Sequence, residues 1–184
     1  MNSTDVTDAQ LPRGAGTADN EVRPSPAASI LLLRGEPYEV LLMRRSDRST
    51  FAPGAWVFPG GTLEEQDVSL ARRFGEGENE LLSMKVCAIR EVFEETGLRV
   101  DVDNFMFGCE FLHHPLHSVE LFFAVSILDG NLGRGSDPEL QIIRDVRFFT
   151  PGEIRALKPE EVHGIFRKAV TPEEFRKLGG FYRI

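Results

Sequence analysis

Two cysteines, one tryptophan and two tyrosines are all that 184 residues hold of these types. Cys87 and Cys109 are too few for a disulfide framework and are not spaced for a metal site, so both read as reduced core thiols. An excess of basic residues is missing too: 21 Lys and Arg stand against 29 Asp and Glu, a formal net charge of −8. That balance argues against nonspecific binding to nucleic acid or to an anionic membrane. A phosphate-bearing ligand would have to be held by local arginines, backbone amides or a metal. No apolar run approaches the ~20 residues of a membrane span, and the opening MNSTDVTDAQ has neither the basic nor the apolar region of a signal peptide. The expectation is a cytoplasmic protein with no membrane and no nucleic-acid partner.

What is present suits one ordinary domain, since 41% hydrophobic and 27% charged residues match globular averages. Residues 1–24 are polar with scattered single apolar positions and are expected to form a flexible tail, leaving 25–184 as the domain. ASILLL and YEVLLMRR, joined by the turn-like RGEP, read as two strands of a hairpin. WVFPGG is a short strand running into a Pro-Gly-Gly break. TLEEQDVSLARRFGEGENELL reads as a loop with one helical turn near VSLARRF. Leu82, Val86, Ile89 and Phe93 recur at helical spacing and Gly97 sits where a helix ends, so a helix with that apolar side on the core is expected. FMFGCEFLHH, SVELFFAVSIL and VRFFT are strand-like, and PGEIRALK, PEEVHGIF and PEEFRKL are short helical pieces opened by proline. Strands mixed with helices imply an α/β or α+β layered domain.

The stretch REVFEETG, from Arg90 to Gly97, crowds Glu91, Glu94 and Glu95 onto the side of this helix away from the apolar stripe. A solvated acidic face and a cation-binding face both satisfy that placement. Like charges three and four residues apart repel, and acids near a helix C-terminus oppose its dipole, so the cluster needs a compensating charge. A hard divalent cation with oxygen ligands would supply one. The glycines of PGG, Gly60 and Gly61, allow bare backbone to approach a ligand.

These residues resemble the Nudix hydrolase box, G-x5-E-x7-R-E-U-x-E-E-x-G-U with U a bulky aliphatic residue. Arg90 to Leu98 fits every specified position, and Gly60-Gly61 supplies the glycine lead-in. Counted from Gly61, the first box glutamate is replaced by Asp67, and 22 residues separate Asp67 from Arg90 where the pattern has seven. Asp67, Glu64 and Glu65 therefore all stand as candidates for the loop carboxylate. The resemblance implies an α/β/α sandwich with a mixed β-sheet and hydrolysis of a nucleoside diphosphate linked to another group. It further implies Mg²⁺ or Mn²⁺ held by Glu91, Glu94 and Glu95, with a Gly60 or Gly61 carbonyl and the loop acid as further ligands and Arg90 orienting the glutamates. The general base is a box glutamate or an acid elsewhere: Glu139 in GRGSDPELQ is one candidate, Glu120 and Glu110 weaker ones. Members of the family often form homodimers, which leaves that state possible here.

Upstream, LLMRRSDRSTFAPGAWVFPGG is similar to the signature of the coenzyme A diphosphatase branch, matching at Leu41, Leu42, Arg45, Ser46, Gly54 and Phe58 to Gly61. Met43 and Thr50 depart from it. Arg44, Arg45 and Arg48 suit phosphate pairing, with Ser46 beside them, so the favoured substrate is coenzyme A or an acyl derivative. ADP-ribose or a nucleotide sugar is the alternative, and a nucleotide-binding domain without turnover is another. Trp56 and Phe51 suit base stacking, though Trp56 lies in an apolar run that favours packing. His113, His114 and His117 fit no closed zinc set with Cys109.

Overall fold

The computed structural model describes residues 24–49, 52–75, 79–113, 116–133 and 143–183. The chain opens with β1 (Ser25–Leu31), β2 (Leu33–Arg34), β3 (Glu39–Arg45), β4 (Trp56–Val57) and β5 (Gly60–Thr62). Two helices follow, α1 (Glu65–Phe74) and α2 (Glu80–Thr96), then the long strands β6 (Leu98–His113) and β7 (Leu116–Gly130) and the shorter β8 (Ile143–Phe149). The C-terminal part holds α3 (Pro151–Ala156), two 3-10 turns, α4 (Pro172–Lys177) and β9 (Phe181–Arg183). One sheet runs β5-β1-β7-β6-β9, and a second is built on β3, which pairs with β2, β4 and β8. The first sheet is mixed: β1 is parallel to β7, while β6 and β7 are antiparallel.

Alternation along the strands sends neighbours to opposite faces. Ala28, Ile30 and Phe123 pack under α2 with Met84, Cys87 and Val92. Leu31 and Phe122 face the other way, into a core shared with Phe58, Phe149, Phe166 and Phe175. Helices thus cover both faces, giving the α/β/α arrangement with a mixed sheet. No helix among the described residues is long and apolar enough to cross a membrane.

Three expectations are corrected. β1 and β3 do not form a hairpin: β1 enters the five-stranded sheet between β5 and β7, and only the two-residue β2 folds back on β3. The polar stretch after the glycines is a three-turn helix, α1, because Asp67 closes its first turn by accepting the Glu64 N–H at 3.0 Å. The core side of α2 also differs. Met84, Cys87, Ala88 and Val92 are buried, whereas Leu82 and Val86 are half-buried and Ile89 and Phe93 are 40% and 48% exposed. Cys87, Ala88 and Val92 pack on Ala28 and Ile30 of β1 together with Met84, and Ile89 and Phe93 are left outward.

The C-terminal FYR, unassigned from sequence, forms β9 beside Gly108–Glu110 of β6. The Phe181 ring rests where a Cβ on Gly108 would sit 2.3 Å from it, so a larger residue there would push the exposed ring aside. Replacement of Val92 by alanine should cost about 2 kcal/mol through lost burial and a cavity, and Phe93→Ser less than about 1 kcal/mol as a surface change. Urea denaturation of the two variants checks this; the reverse order would restore the original face assignment.

Candidate functional site

Arg90, on the penultimate turns of α2, is the hub of the polar cluster. Its Nε and Nη2 donate to the two oxygens of Asp67 at 2.8 and 2.9 Å, a bidentate pair in which the Asp67 side chain is 1% exposed. Nη1 reaches Glu91 Oε1 at 2.9 Å and donates to Glu94 Oε2 at 3.0 Å, and Nη2 also donates to the Thr62 carbonyl at 3.2 Å. The Asp67 hydrogen bonds lead in raising the Arg90 pKa above its ordinary value; burial works against them, and Glu91 and Glu94 add to them. The guanidinium is therefore a permanent cation inside the acidic set. It offsets the repulsion among the glutamates that their spacing creates.

Glu95 is buried and turned the other way, accepting the Gly60 N–H at 2.8 Å. Gly60 has φ 151°, and a Cβ there would lie 2.3 Å from the Ala28 carbonyl, while one on Gly61 would lie 2.4 Å from the Glu91 carboxyl. Both glycines thus let backbone and carboxylates share one small volume, which answers why the sequence places PGG ahead of the helix. The Gly61 carbonyl accepts the Cys87 thiol at 3.6 Å. Burial first, then Asp67 and Glu91, push that thiol up to about 12, so it remains a neutral donor. Gly97, at φ 71°, ends the helix by donating its N–H to Phe93.

Asp67, Arg90, Glu91, Glu94, Glu95, Gly60 and Gly61 are thus brought together from the glycine strand, α1 and α2. Glu64 touches the cluster's rim, 3.8 Å from Arg90 Nη1. The upstream residues make local contacts of their own. Arg45 donates to Ser49 Oγ at 3.0 and 2.8 Å, Arg44 to the Gly54 carbonyl at 3.4 Å, and buried Ser46 accepts the Arg48 N–H. Glu139, Thr50, Phe51 and His114 lie outside the described residues. Glu110 pairs with His117 and Arg183 near the β9 edge. Trp56 is buried edge-on against Phe149 at 4.5 Å, the packing role.

Glu120 is held by Ser29 and approached by His163. Neither Ser29 nor His163 was singled out from sequence. Ser29 is hidden inside an apolar strand, and His163 is one lone histidine 43 positions beyond Glu120, so no local pattern links them.

Residues 23–170 match the family model described as NUDIX domain. The chain is 32% identical to the acyl-coenzyme A diphosphatase NUDT19 of Xenopus laevis, over 37% of this chain and 27% of that protein. For the protein of the same name in Gallus gallus the identity is 33%, over 39% of this chain and 31% of the other. The chain therefore spans less than a third of the length of these curated relatives. Among solved structures, a NUDIX hydrolase from Alicyclobacillus acidocaldarius superposes with a TM-score of 0.62 at 17% identity, covering 86% of this chain and 98% of that one. The MutT protein from Methanosarcina mazei Go1 does so at 0.59 and 20%, covering 85% and 94%. Such distant likenesses speak to fold alone, and the family model decides the rest: the chain belongs to the NUDIX domain family.

Proposed function

We propose that this chain is a divalent-metal-dependent diphosphatase that cleaves a nucleoside diphosphate linked to another group, with coenzyme A or acyl-coenzyme A as the favoured substrate. The observation that carries the reading is the Arg90 clamp, which gathers Asp67, Glu91 and Glu94 beside the Gly60-Gly61 backbone. The partial likeness to acyl-coenzyme A diphosphatases and the upstream Arg45-Ser46 match favour the substrate.

The donor set suits a hard cation in its chemistry: three glutamates within five residues of α2 and a glycine cradle that a Cβ would fill. Among the described residues no three such side chains converge on one point as they stand, because Arg90 and the Gly60 amide hold the carboxylates. Glu94, with 34% of its side chain exposed, is the member that solvent reaches most, ahead of Glu91. Glu91, Glu94 and Glu95 would hold Mg²⁺ or Mn²⁺. When bound, such an ion neutralises phosphate charge and lowers the pKa of a coordinated water.

The chain's own residues do the positioning. Asp67 anchors Arg90 rather than serving as a ligand, since its oxygens are engaged by the guanidinium and by the Glu64 amide. Arg90 sets the spread of Glu91 and Glu94, and Arg44 and Arg45 would exchange their contacts with the Gly54 carbonyl and Ser49 for the outer phosphates. The general base is either a box glutamate or Glu139, an acid outside the described residues.

Hydrolysis should be measured with coenzyme A, acyl-coenzyme A, ADP-ribose and nucleotide sugars, with and without Mg²⁺. Chelation should abolish turnover and Mg²⁺ should restore it. Glu94→Gln should lower kcat on the order of 100-fold, the scale of losing one group that stabilises transition-state charge, with the melting temperature little changed. Near-wild-type turnover by this variant would remove the ligand assignment. Asp67→Asn should instead destabilise the fold on the order of 3 kcal/mol, because it leaves Arg90 without its buried partner; chemical denaturation reads the loss directly.

A further inference from the structure

A second polar set lies on the sheet face away from α2. Ser29 and Glu120 alternate with Ala28 and Leu121, which pack toward α2, so they face the aromatic core instead. His163 meets them from the segment after α3. It is 8% exposed, and its ring lies 5.3 Å from Phe58 and 5.5 Å from Phe122. Its Nδ1 accepts the Ile165 N–H at 3.2 Å, so the proton of the neutral ring sits on Nε2. Nε2 lies 3.4 Å from Glu120 Oε2, in ion-pair reach but without a completed hydrogen bond. It is the one buried side-chain nitrogen or oxygen among the described residues in that condition.

Glu120 is fixed from its other oxygen as well, which accepts Ser29 Oγ–H at 2.5 Å. Burial works to raise the carboxyl, but His163, Ser29 and Arg45 outweigh it and hold the group below the usual glutamate value, hence ionised. Even so, 23% of its side chain remains exposed. The set adjoins the box: Ser29 is registered opposite Gly60, whose N–H holds Glu95, and a Cβ on Gly60 would lie 2.5 Å from Ser29 Oγ. An ionised carboxylate next to a diphosphate site repels phosphate and attracts N–H and O–H donors.

We propose that Glu120 is a specificity-determining residue that accepts a hydrogen bond from an amino, amide or hydroxyl group on the non-phosphate part of the substrate, and that His163 is the positioning residue that aims its carboxylate. This rests on the diphosphatase reading for its substrate. Ser29 and His163 hold the carboxylate from two sides, so its exposed edge meets the donor without first giving up rotational freedom. The donor belongs either to the nucleoside or to the group beyond the second phosphate, and the two are separable by truncated probes.

The test uses the full chain with Mg²⁺ and coenzyme A or ADP-ribose as substrate, comparing wild type with Glu120→Gln, His163→Phe and His163→Gln. Gln at 120 keeps the shape and replaces one acceptor oxygen by a donor; Phe at 163 keeps the ring packing and removes the Nε2 proton. KM should rise about tenfold in Glu120→Gln while kcat falls less than threefold, the effect of one lost charged hydrogen bond. His163→Phe should move KM the same way, and His163→Gln should recover part of it. Loss of kcat at constant KM, or melting temperatures that fall with no change in KM, would overturn the assignment. Calorimetric titration of ADP and 4′-phosphopantetheine separates the two ends: weakened ADP binding in Glu120→Gln places the donor on the nucleoside, and weakened phosphopantetheine binding places it beyond the diphosphate. If wild type hydrolyses nothing, the diphosphatase reading fails by itself. The same titrations then judge Glu120, with unchanged binding of both probes sinking it.

Discussion

The bidentate pair between Arg90 and Asp67 is the interaction on which the acidic site depends. A buried carboxylate and a part-buried guanidinium are each costly to remove from water, and they are tolerated together because each satisfies hydrogen-bonding capacity of the other. The pair also joins two elements with different tasks. Asp67 closes the first turn of α1 by accepting the Glu64 amide, and Arg90 lies near the end of α2. One ion pair therefore sets both where α1 starts and how the glutamates of α2 are spread.

Around that pair, three acids at helical spacing are held apart by the protein's own donors. Arg90 Nη1 lies between Glu91 and Glu94, and the Gly60 amide takes Glu95 away from them. The helix has no basic residue in its last turn to answer its dipole, so the internal arginine and the backbone amide carry that role. Glycine at 60 and 61 is a steric condition for the same arrangement, since side chains there would displace the Ala28 backbone or the Glu91 carboxyl.

The part of the site carried by identity and fixed spacing was legible in the sequence. REVFEETG places Arg90, Glu91, Glu94 and Glu95 by helix geometry alone, and the structure brings Gly60, Gly61 and Asp67 to them. The orientation of that helix was misread because α2 has two apolar sides. Leu82, Val86, Ile89 and Phe93 form the more conspicuous one, but the side that packs is built from Met84, Cys87, Ala88 and Val92 and also carries Glu91 and Glu95. A carboxylate on a buried side is invisible to hydrophobic periodicity, because what permits it is a backbone amide contributed by another strand. α1 is hard to see in the sequence for a related reason: its capping acid, Asp67, also occupies the box position of a loop carboxylate. His163 and Ser29 had no local signal, since their meeting with Glu120 exists only after the two core layers are stacked.

The neutral state of Cys87 has a consequence for how the protein meets oxidants. A lone cysteine one turn from an arginine, beside a polar site, has the sequence position of a redox sensor. Its thiol is pushed up to about 12 by burial and the neighbouring Asp67 and Glu91 and donates to the Gly61 carbonyl, so it stays protonated at neutral pH. Peroxide and alkylating reagents act on thiolates, and Cys109, also pushed up to about 12, offers no easier target. Chemical labelling of either cysteine would therefore report opening of the fold, which makes these two thiols internal clocks of unfolding.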